Sequence, residues 1–376
     1  MNINTICVHG AALDNNPTGA LSVPIYQTAT FGHPGVGQST GYDYSRVQNP
    51  TREALERQVA ELENGSEALA FSSGMAAMTA LMELFEPGDV ILASDDLYGG
   101  TARLFDNISH KNGLTVVQAD TSDLTALPGL ISPGVRAIFI ETPTNPMMKV
   151  TDIAAVRKLA GPEPLLIVDN TFLTPYFQRP LELGADVVLH SGTKYLGGHN
   201  DTLAGFLVTS QPELAEKLRT IYKTTGSCLA PFDSFLIVRG IKTLGLRMVQ
   251  SQASALRLAG WLANHPKVTA VHYPGRPDHP HYELSRRQAT GFGAMISFEV
   301  DSVETAHQTL EKVDLIIYAE SLGGVETLIT YPMLQTHSDL PEATRESLGI
   351  TDRLLRLSVG IEDVDDLIAD LEQALS

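Results

Sequence analysis

The sequence is poor in cysteine, aromatic residues and basic residues. Its 376 residues include two cysteines, Cys7 and Cys228, one tryptophan and 6% aromatic residues. Two cysteines are too few for a disulfide framework or a cysteine-rich zinc site, so we expect no metal and a reducing, cytoplasmic compartment. The 26 basic residues are outnumbered by 44 acidic ones, and the resulting net charge of −18 repels nucleic acid and anionic membranes.

Long apolar segments are missing as well. No run reaches the roughly 18 residues that a membrane-spanning helix requires. Residues 1–5 (MNINT) have neither the basic start nor the apolar centre of a secretory signal, so we expect none. With 43% hydrophobic and 19% charged residues, the composition is typical of a globular protein with a large core, and the length favours two domains.

Short apolar runs alternate with helix-like segments through the middle of the chain. These runs are residues 68–71, 90–93, 115–117, 137–140, 165–168, 187–189 and 206–208. Such runs are typical of strands buried on both faces of a mostly parallel sheet, so we predict an α/β domain with helices on both sides. Residues 232–265 predict a long helical connection, broken only at Gly240 and Gly245. Strand-like and helix-like segments beyond it predict a smaller α+β domain: 294–300, 302–313, 354–359 and 364–375.

The first 60 residues show little periodicity and many turn formers, including Asn15-Asn16-Pro17 and Asn49-Pro50. We interpret this part as an extended arm, with a packed surface loop as the alternative. The predicted division is an arm over 1–55, a large domain over 56–242 and a C-terminal domain over 243–376.

The segment with the clearest chemistry is His190-Ser191-Gly192-Thr193-Lys194, directly after a strand-like run. Ligands of α/β folds bind beyond the carboxyl ends of strands. The Ser191 and Thr193 hydroxyls suit a phosphate, and Lys194 could form a Schiff base, since a lysine in apolar or cationic surroundings loses its proton readily. A solvated turn lysine is the alternative.

Three other segments point to the same kind of ligand. Asp169 ends a buried run, where a carboxylate must pair with a cation, a protonated ring nitrogen or backbone amides. Gly74 and Met75 start a helix after a strand, which favours an anion, although glycine at such turns is often steric. Tyr98 follows another strand and could stack on a planar ring or belong to the core.

Eight segments, in order and over essentially the whole chain, resemble the pyridoxal-phosphate-dependent transsulfuration enzymes, the cystathionine synthase/lyase family. They are residues 42–46 (YDYSR) with 49–52 (NPTR), 72–77 (SSGMAA), 96–101 (DLYGGT), 141–146 (ETPTNP), 168–172 (VDNTF), 190–195 (HSGTKY), 319–324 (AESLGG) and 355–360 (LRLSVG). The resemblance implies fold type I, pyridoxal 5'-phosphate as cofactor, amino-acid substrates and no nucleic-acid or membrane partner. It also implies a homotetramer, a dimer of dimers in which the arm of one subunit completes the site of its neighbour.

The resemblance assigns a role to each matching residue around the cofactor. Lys194 would hold it covalently and move protons on the substrate, Asp169 would keep its ring nitrogen protonated, and Tyr98 would stack on the ring. The phosphate would contact Gly74, Met75, Ser191, Thr193 and, from the neighbouring subunit, Tyr44 and Arg46. The catalytic candidates are Lys194, Tyr44 and Tyr98.

At the substrate, Arg356 would bind the α-carboxylate with help from Ser321 and Asn145. Glu320 and Asp43 could bind the distal ammonium of cystathionine, and Arg103 its distal carboxylate or an acyl group. Surface ion pairing is the alternative for Asp43 and Arg103.

Position 320 bears on the reaction. Glu320 matches γ-synthases and γ-lyases, whereas the Gram-negative β-lyase subgroup carries an aromatic residue there and tryptophan where this chain has Leu322. Gly100 replaces the cysteine usual in methionine γ-lyases. Residues 37–44 and 230–234 are most similar to Gram-positive cystathionine γ-synthase/O-acetylhomoserine thiol-lyase proteins. We therefore predict γ-replacement on O-acetyl- or O-succinylhomoserine by cysteine or sulfide, with cystathionine γ-lyase or β-lyase activity as the alternative.

Arg356 disfavours a non-catalytic cofactor-binding protein on the same fold, because cofactor binding alone does not need a carboxylate-binding arginine. The Tyr44-Ser45-Arg46 arm and the run over 320–324 disfavour an aminotransferase.

Overall fold

The computed structural model describes residues 1–12, 18–338 and 340–376, so the turn predicted at 15–17 lies outside it. The α-helices are α1 (Ile3–His9), α2 (Pro50–Leu62), α3 (Gly74–Met82), α4 (Gly99–Leu104), α5 (Leu127–Leu130), α6 (Ile153–Ala160), α7 (Thr174–Phe177), α8 (Pro212–Thr225), α9 (Pro231–Ile241), α10 (Leu244–Leu262), α11 (Tyr282–Gln288), α12 (Val303–Lys312), α13 (Glu342–Leu348) and α14 (Val364–Leu375). A π-helical turn covers Phe105–Ser109 and a 3₁₀ turn covers Pro180–Leu183.

The strands form two sheets. They are β1 (Glu67–Phe71), β2 (Val90–Ser94), β3 (Thr115–Ala119), β4 (Val135–Glu141), β5 (Leu165–Asp169), β6 (Val187–Ser191), β7 (Gly205–Thr209), β8 (Val268–His272), β9 (Met295–Val300), β10 (Ile317–Tyr318), β11 (Leu328–Thr330) and β12 (Leu354–Ser358). The first sheet has the order β1-β7-β6-β5-β4-β2-β3, and the second has the order β10-β11-β12-β9-β8.

The large sheet is parallel except for β7, which runs antiparallel to both of its neighbours. Alternate residues of its central strands face two cores, with Phe139 under α3 and α8 and Ile138 under α6. Each fully buried side chain of this size stabilises the fold by roughly 1.5–3 kcal/mol. The predicted, mostly parallel α/β sheet is confirmed, and a strand forms at each of the seven predicted runs. Because parallel strands end at the same edge, the carboxyl ends of β4, β5 and β6 lie side by side.

The small sheet is antiparallel apart from the β10–β11 pair. One face packs under α10, α12 and α14 through residues such as Leu355 and Leu357. The intervening Arg356 therefore points to the other face, where its register partners are Ser297 and Thr330. The Ser297 hydroxyl donates to Pro146 O at 2.7 Å, so this polar face meets the large sheet.

The expected position of the break in the long helical stretch is wrong. The long helical stretch breaks at Lys242-Thr243, between α9 and α10, rather than at its glycines. Those glycines permit close packing instead, since a Cβ at Gly240 would lie 2.1 Å from Gly197 O and one at Gly245 would lie 2.5 Å from Asn4 Oδ1. The domain boundary predicted at 242/243 falls at this break and stays a prediction.

The N-terminal part contains more regular structure than its sequence suggested. Helices α1 and α2 lie within it, and the predicted arm 1–55 ends inside α2. The pair Asn49-Pro50 is a helix start rather than a turn, because the Asn49 side chain accepts from Thr51 N and proline suits the first helical position. Between residues 18 and 49 the structure has no helix or strand, only an isolated bridge between Thr30 and Tyr44.

Among the described residues, no helix is both long enough and apolar enough to span a membrane. The same residues contain no group of three or more His, Cys, Asp or Glu side chains that could hold a metal ion.

Candidate active site

A cavity lies between the two sheets, with about 1040 Å³ of empty space when the solvent at its open mouth is included. The large sheet contributes the carboxyl ends of β4, β5 and β6 and the starts of α3 and α4. The small sheet contributes residues 320–322 and Arg356. The predicted site residues that line this cavity are Gly74, Met75, Tyr98, Asn145, Asp169, Ser191, Thr193, Lys194, Glu320, Ser321 and Arg356.

Lys194 enters the cavity just after β6, and its Nζ donates to Ser321 Oγ at 2.9 Å. Ser321 has φ +96°, a left-handed conformation that is uncommon for serine. Burial, and then the positive charge of Arg356, lower the pKa of Lys194 to about 8, against the opposing effect of Glu320. More of its amine is therefore unprotonated near neutral pH than in an ordinary lysine, which suits a nucleophile that also exchanges protons.

Two carboxyl groups lie side by side at one end of the cavity. Asp169 and Glu141 face each other across β4 and β5. Asp169 Oδ1 accepts from the amide and hydroxyl of Thr171, at 2.9 and 2.6 Å, and Oδ2 has no donor within the described parts of the chain. Burial raises the pKa of Asp169, and burial followed by the charge of Asp169 raises the pKa of Glu141. This pair suits a cationic or protonated ring nitrogen, as pyridoxal phosphate presents.

Glu141 was not among the predicted site residues. Its Oε2 accepts from the backbone N–H of Tyr98 at 3.0 Å, and thus ties the start of α4 to the end of β4. The sequence did carry a signal, since Glu141 ends a buried run just as Asp169 does.

A second group of residues along the cavity is shaped for an anion. The Ser73 side chain caps α3, and the first-turn amides of Gly74 and Met75 have no intrahelical acceptor. A Cβ at Gly74 would lie 3.0 Å from Ser191 Cβ, and one at Gly205 would lie 2.1 Å from Ser73 O. These backbone segments can approach so closely because glycine, which has no side chain, occupies both positions.

Hydroxyl groups complete this anion site. Ser191 and Thr193 both line the cavity. The Thr193 hydroxyl donates to Ala204 O at 3.3 Å and accepts from Ala204 N at 3.1 Å, so the next loop fixes its position. The arrangement fits the phosphate of the cofactor.

Arg356 is a buried cation whose partners among the described residues are not carboxylates. It is 1% exposed, and burial lowers its pKa to about 10, so it remains charged at neutral pH. Nη1 donates to Asn145 Oδ1 at 2.7 Å and Nη2 to Ser321 O at 3.1 Å. Within the described residues no acidic side chain lies within salt-bridge distance, and Nε has no partner. A buried guanidinium of this kind is suited to binding a carboxylate.

Four predicted residues do not line this cavity: Asp43, Tyr44, Arg46 and Arg103. The guanidinium of Arg46 lies 5.5 Å from the Tyr44 ring centroid and donates to Lys223 O. Asp43 accepts from Ser39 and lies 3.5 Å from His33. Arg103 lies on α4. Their functional roles stay predictions.

Comparison with known proteins identifies the class of enzyme. A family model for Cys/Met metabolism PLP-dependent enzymes matches residues 4–376, so the chain belongs to this family. The predicted family, fold class and pyridoxal-phosphate cofactor are thereby confirmed, and the chain is a PLP-dependent transsulfuration enzyme.

Individual relatives carry different reaction names. Cystathionine gamma-lyase of Bacillus subtilis is 51% identical, with 100% of this chain and 99% of the relative covered. Cystathionine gamma-synthase/O-acetylhomoserine (thiol)-lyase of the same species is 49% identical, with 95% and 92% covered. Cystathionine beta-lyase of Lactococcus lactis subsp. cremoris is 46% identical, with 99% and 98% covered. A structure of cystathionine gamma-lyase from Lactobacillus plantarum with L-serine has a TM-score of 0.97 at 47% identity, covering 100% and 98%.

Proposed function

We propose that the chain catalyses γ-replacement, in which O-acetyl- or O-succinylhomoserine loses its acyl group and cysteine or sulfide takes its place. The supporting observation is Glu320, which lines the cavity next to Ser321 and Lys194. A carboxylate at this point can receive the ammonium of the incoming cysteine or the distal ammonium of cystathionine. Leu322 lines the same wall, and neither position carries the aromatic residue of the Gram-negative β-lyase subgroup.

The described residues divide the work around the substrate. Pyridoxal phosphate, when bound, withdraws electrons from the bonds at the substrate Cα. Asp169 and Glu141 would face its ring nitrogen, Tyr98 its ring, and Gly74, Met75, Ser191 and Thr193 its phosphate. Arg356 and Asn145 would orient the α-carboxylate. Lys194, with its lowered pKa, would accept the Cα proton at Nζ and return protons to the substrate while Ser321 holds that nitrogen in place.

Cystathionine cleavage is the second candidate. The Bacillus subtilis relative named cystathionine gamma-lyase is 51% identical, and the Lactococcus relative named cystathionine beta-lyase is 46% identical. Cleavage and replacement share the first proton transfer from Cα, so the same residues would serve either reaction.

Product analysis of the purified holoprotein distinguishes these reactions. With O-acetylhomoserine and cysteine we expect cystathionine, identified by mass, and Lys194→Ala should abolish its formation. O-succinylhomoserine, tested in parallel, reports the preferred acyl group. If the ester gives no cystathionine while added cystathionine is consumed, the proposal is wrong. Cysteine with 2-oxobutyrate would then show γ-cleavage, and homocysteine with pyruvate would show β-cleavage.

We also propose that the protein is a homotetramer made of two dimers, with active sites shared within each dimer. Asp43 and Tyr44 lie on the N-terminal segment, largely exposed and outside their own chain's cavity. Contribution of Tyr44 and Arg46 to a neighbour's phosphate site would account for this position. The cytoplasmic location stays a prediction.

A further inference from the structure

A segment of the small domain crosses onto the large domain beside the cavity. Residues 331–338 follow β11, and Thr336 from this segment lines the cavity. The contact with α4 is close, since a Cβ at Gly99 would lie 2.3 Å from Thr336 O. The next residue, His337, is 1% exposed, and no role was predicted for it.

The His337 imidazole contacts three groups. Its Nε2 lies 3.1 Å from Asn145 O and 3.3 Å from Leu97 O, and its Nδ1 lies 2.8 Å from Thr336 Oγ1. Backbone carbonyls only accept, so Nε2 carries the proton and Nδ1 accepts from the Thr336 hydroxyl. Burial, and then the charge of Arg356, lower the pKa of His337 to about 4, so this neutral form is present at neutral pH.

The two carbonyls belong to different loops beside the cavity. Leu97 immediately precedes Tyr98, the residue expected to cover the cofactor ring. Asn145 accepts from Arg356 Nη1 at 2.7 Å, at the expected carboxylate site. One buried N–H therefore connects the loops after β2 and β4 to the small domain.

We propose that His337 is a positioning residue, which fixes the Tyr98 loop relative to the Asn145–Arg356 pair and thereby sets the affinity for the amino-acid carboxylate. The imidazole itself does not line the cavity, so it has no part in proton transfer. This inference rests on the proposed role of Arg356, but it does not depend on which bond the enzyme breaks.

The test measures substrate binding separately from turnover. Holoprotein variants are titrated with L-serine while the cofactor absorbance is followed. The kcat and KM values are measured with O-acetylhomoserine plus cysteine, or with cystathionine if the wild-type protein turns over only that compound. Phenylalanine keeps the flat ring but leaves two buried carbonyls without a donor, so His337→Phe should weaken L-serine binding about ten- to hundredfold. It should raise KM more than it lowers kcat. His337→Gln can still present an N–H near the Nε2 position and should recover most of the affinity.

His307→Phe is the matched control. His307 lies in the same domain, exposed, with its ring 5.6 Å from that of Tyr331 and outside the cavity lining. Equal L-serine affinity in the two phenylalanine variants would overturn the proposal, as would a lower kcat with unchanged affinity.

A second variant covers the case in which His337→Phe does not fold. Thr336→Val removes the hydroxyl that fixes Nδ1 and should weaken L-serine binding several-fold at an unchanged Tm. Unchanged affinity would overturn the proposal. A wild-type holoprotein that does not respond to any amino acid would overturn both this inference and the proposed function, whereas a loss confined to the variants supports the inference alone.

Discussion

Glu141 and Asp169 place two carboxyl groups side by side at the end of the cavity, where one of them, Glu141, is only 6% exposed. Without a positive ring nitrogen beside them, their mutual repulsion and burial favour the protonated state. The folded apoprotein therefore binds a proton at this pair more tightly than the unfolded chain does.

Glu141→Gln should stabilise the apoprotein at neutral pH. Because the pKa of Glu141 is raised on folding, its contribution to stability is fully present below the unfolded pKa of about 4.3 and is lost as the pH rises through the folded value. Glutamine mimics the protonated form at every pH and keeps an acceptor for Tyr98 N. We expect a gain on the order of 1–3 kcal/mol in the free energy of unfolding at pH 7, vanishing near pH 4.

Urea unfolding of the two apoproteins between pH 4 and 8 measures this difference. Glu216→Gln, on the exposed side of α8, is the control and should change little across the range. A gain that is equal at all pH values would show that Glu141 does not titrate in the folded state.

At the scale of secondary-structure elements, the start of α4 carries an exposed part of the site. Tyr98 is the residue before this helix and its side chain is 43% exposed. Its ring lies against Gly100, where an added Cβ would be 2.4 Å from Tyr98 Cε1 and 3.1 Å from Met75 Sδ. Any side chain at position 100 therefore moves the ring.

Gly100→Ala should weaken cofactor binding about tenfold while leaving the fold intact, since aromatic ring contacts contribute roughly 0.5–1.5 kcal/mol and the exposed ring can turn away without disturbing the core. Fluorescence titration of the apoprotein with pyridoxal phosphate measures the affinity, and thermal unfolding checks the fold. Gly260→Ala is the control, because that position in α10 has nothing within 4 Å of an added Cβ. Equal affinities in the two variants would contradict the expected movement of Tyr98.

The cofactor end of the site was predictable because each of its motifs follows a strand. The runs that form β5 and β6 are buried on both faces, and a parallel sheet brings their carboxyl ends to one edge, so Asp169 and Lys194 could be placed together. His337 could not be placed in this way. His337 contacts Asn145, which is 192 residues earlier in the sequence. It lies in a loop that follows a strand of the other sheet, and this loop has no hydrophobic periodicity. The start of α2 was missed for a local reason, since asparagine and proline serve equally as turn formers and as helix cap and first turn.

At the scale of the whole molecule, mixing two inactive variants tests whether subunits share their sites. If Arg46 serves the neighbouring subunit, co-expressed Arg46→Ala and Lys194→Ala chains should recover about a quarter of wild-type activity. Half of the random dimers are mixed, and one of their two sites contains both natural residues. The measurement is the enzyme activity per mole of subunit in the co-expressed mixture, compared with that of each variant alone.

The control mixture is Asp169→Ala with Lys194→Ala. Both residues line the cavity of a single chain, so no mixed dimer contains an intact site and activity should stay at the level of the single variants. Recovery in this mixture would mean that activity returns for another reason. If the Arg46 mixture recovers no activity, Arg46 does not contribute to the active site of the neighbouring subunit.

The residues expected around the cofactor phosphate and those expected around the substrate differ in how well they should tolerate substitution. At the predicted phosphate site, an added Cβ would lie 3.0 Å from Ser191 Cβ at Gly74 and 2.1 Å from Ser73 O at Gly205, so we expect substitutions there to disturb cofactor binding. Glu320 and Leu322, which would face the substrate, lie on a loop of the small sheet, so we expect their exchange to disturb the anion-binding backbone less. We therefore expect reaction specificity to change more readily than cofactor binding, and relatives of 46–51% identity do bear the names of synthases, γ-lyases and β-lyases.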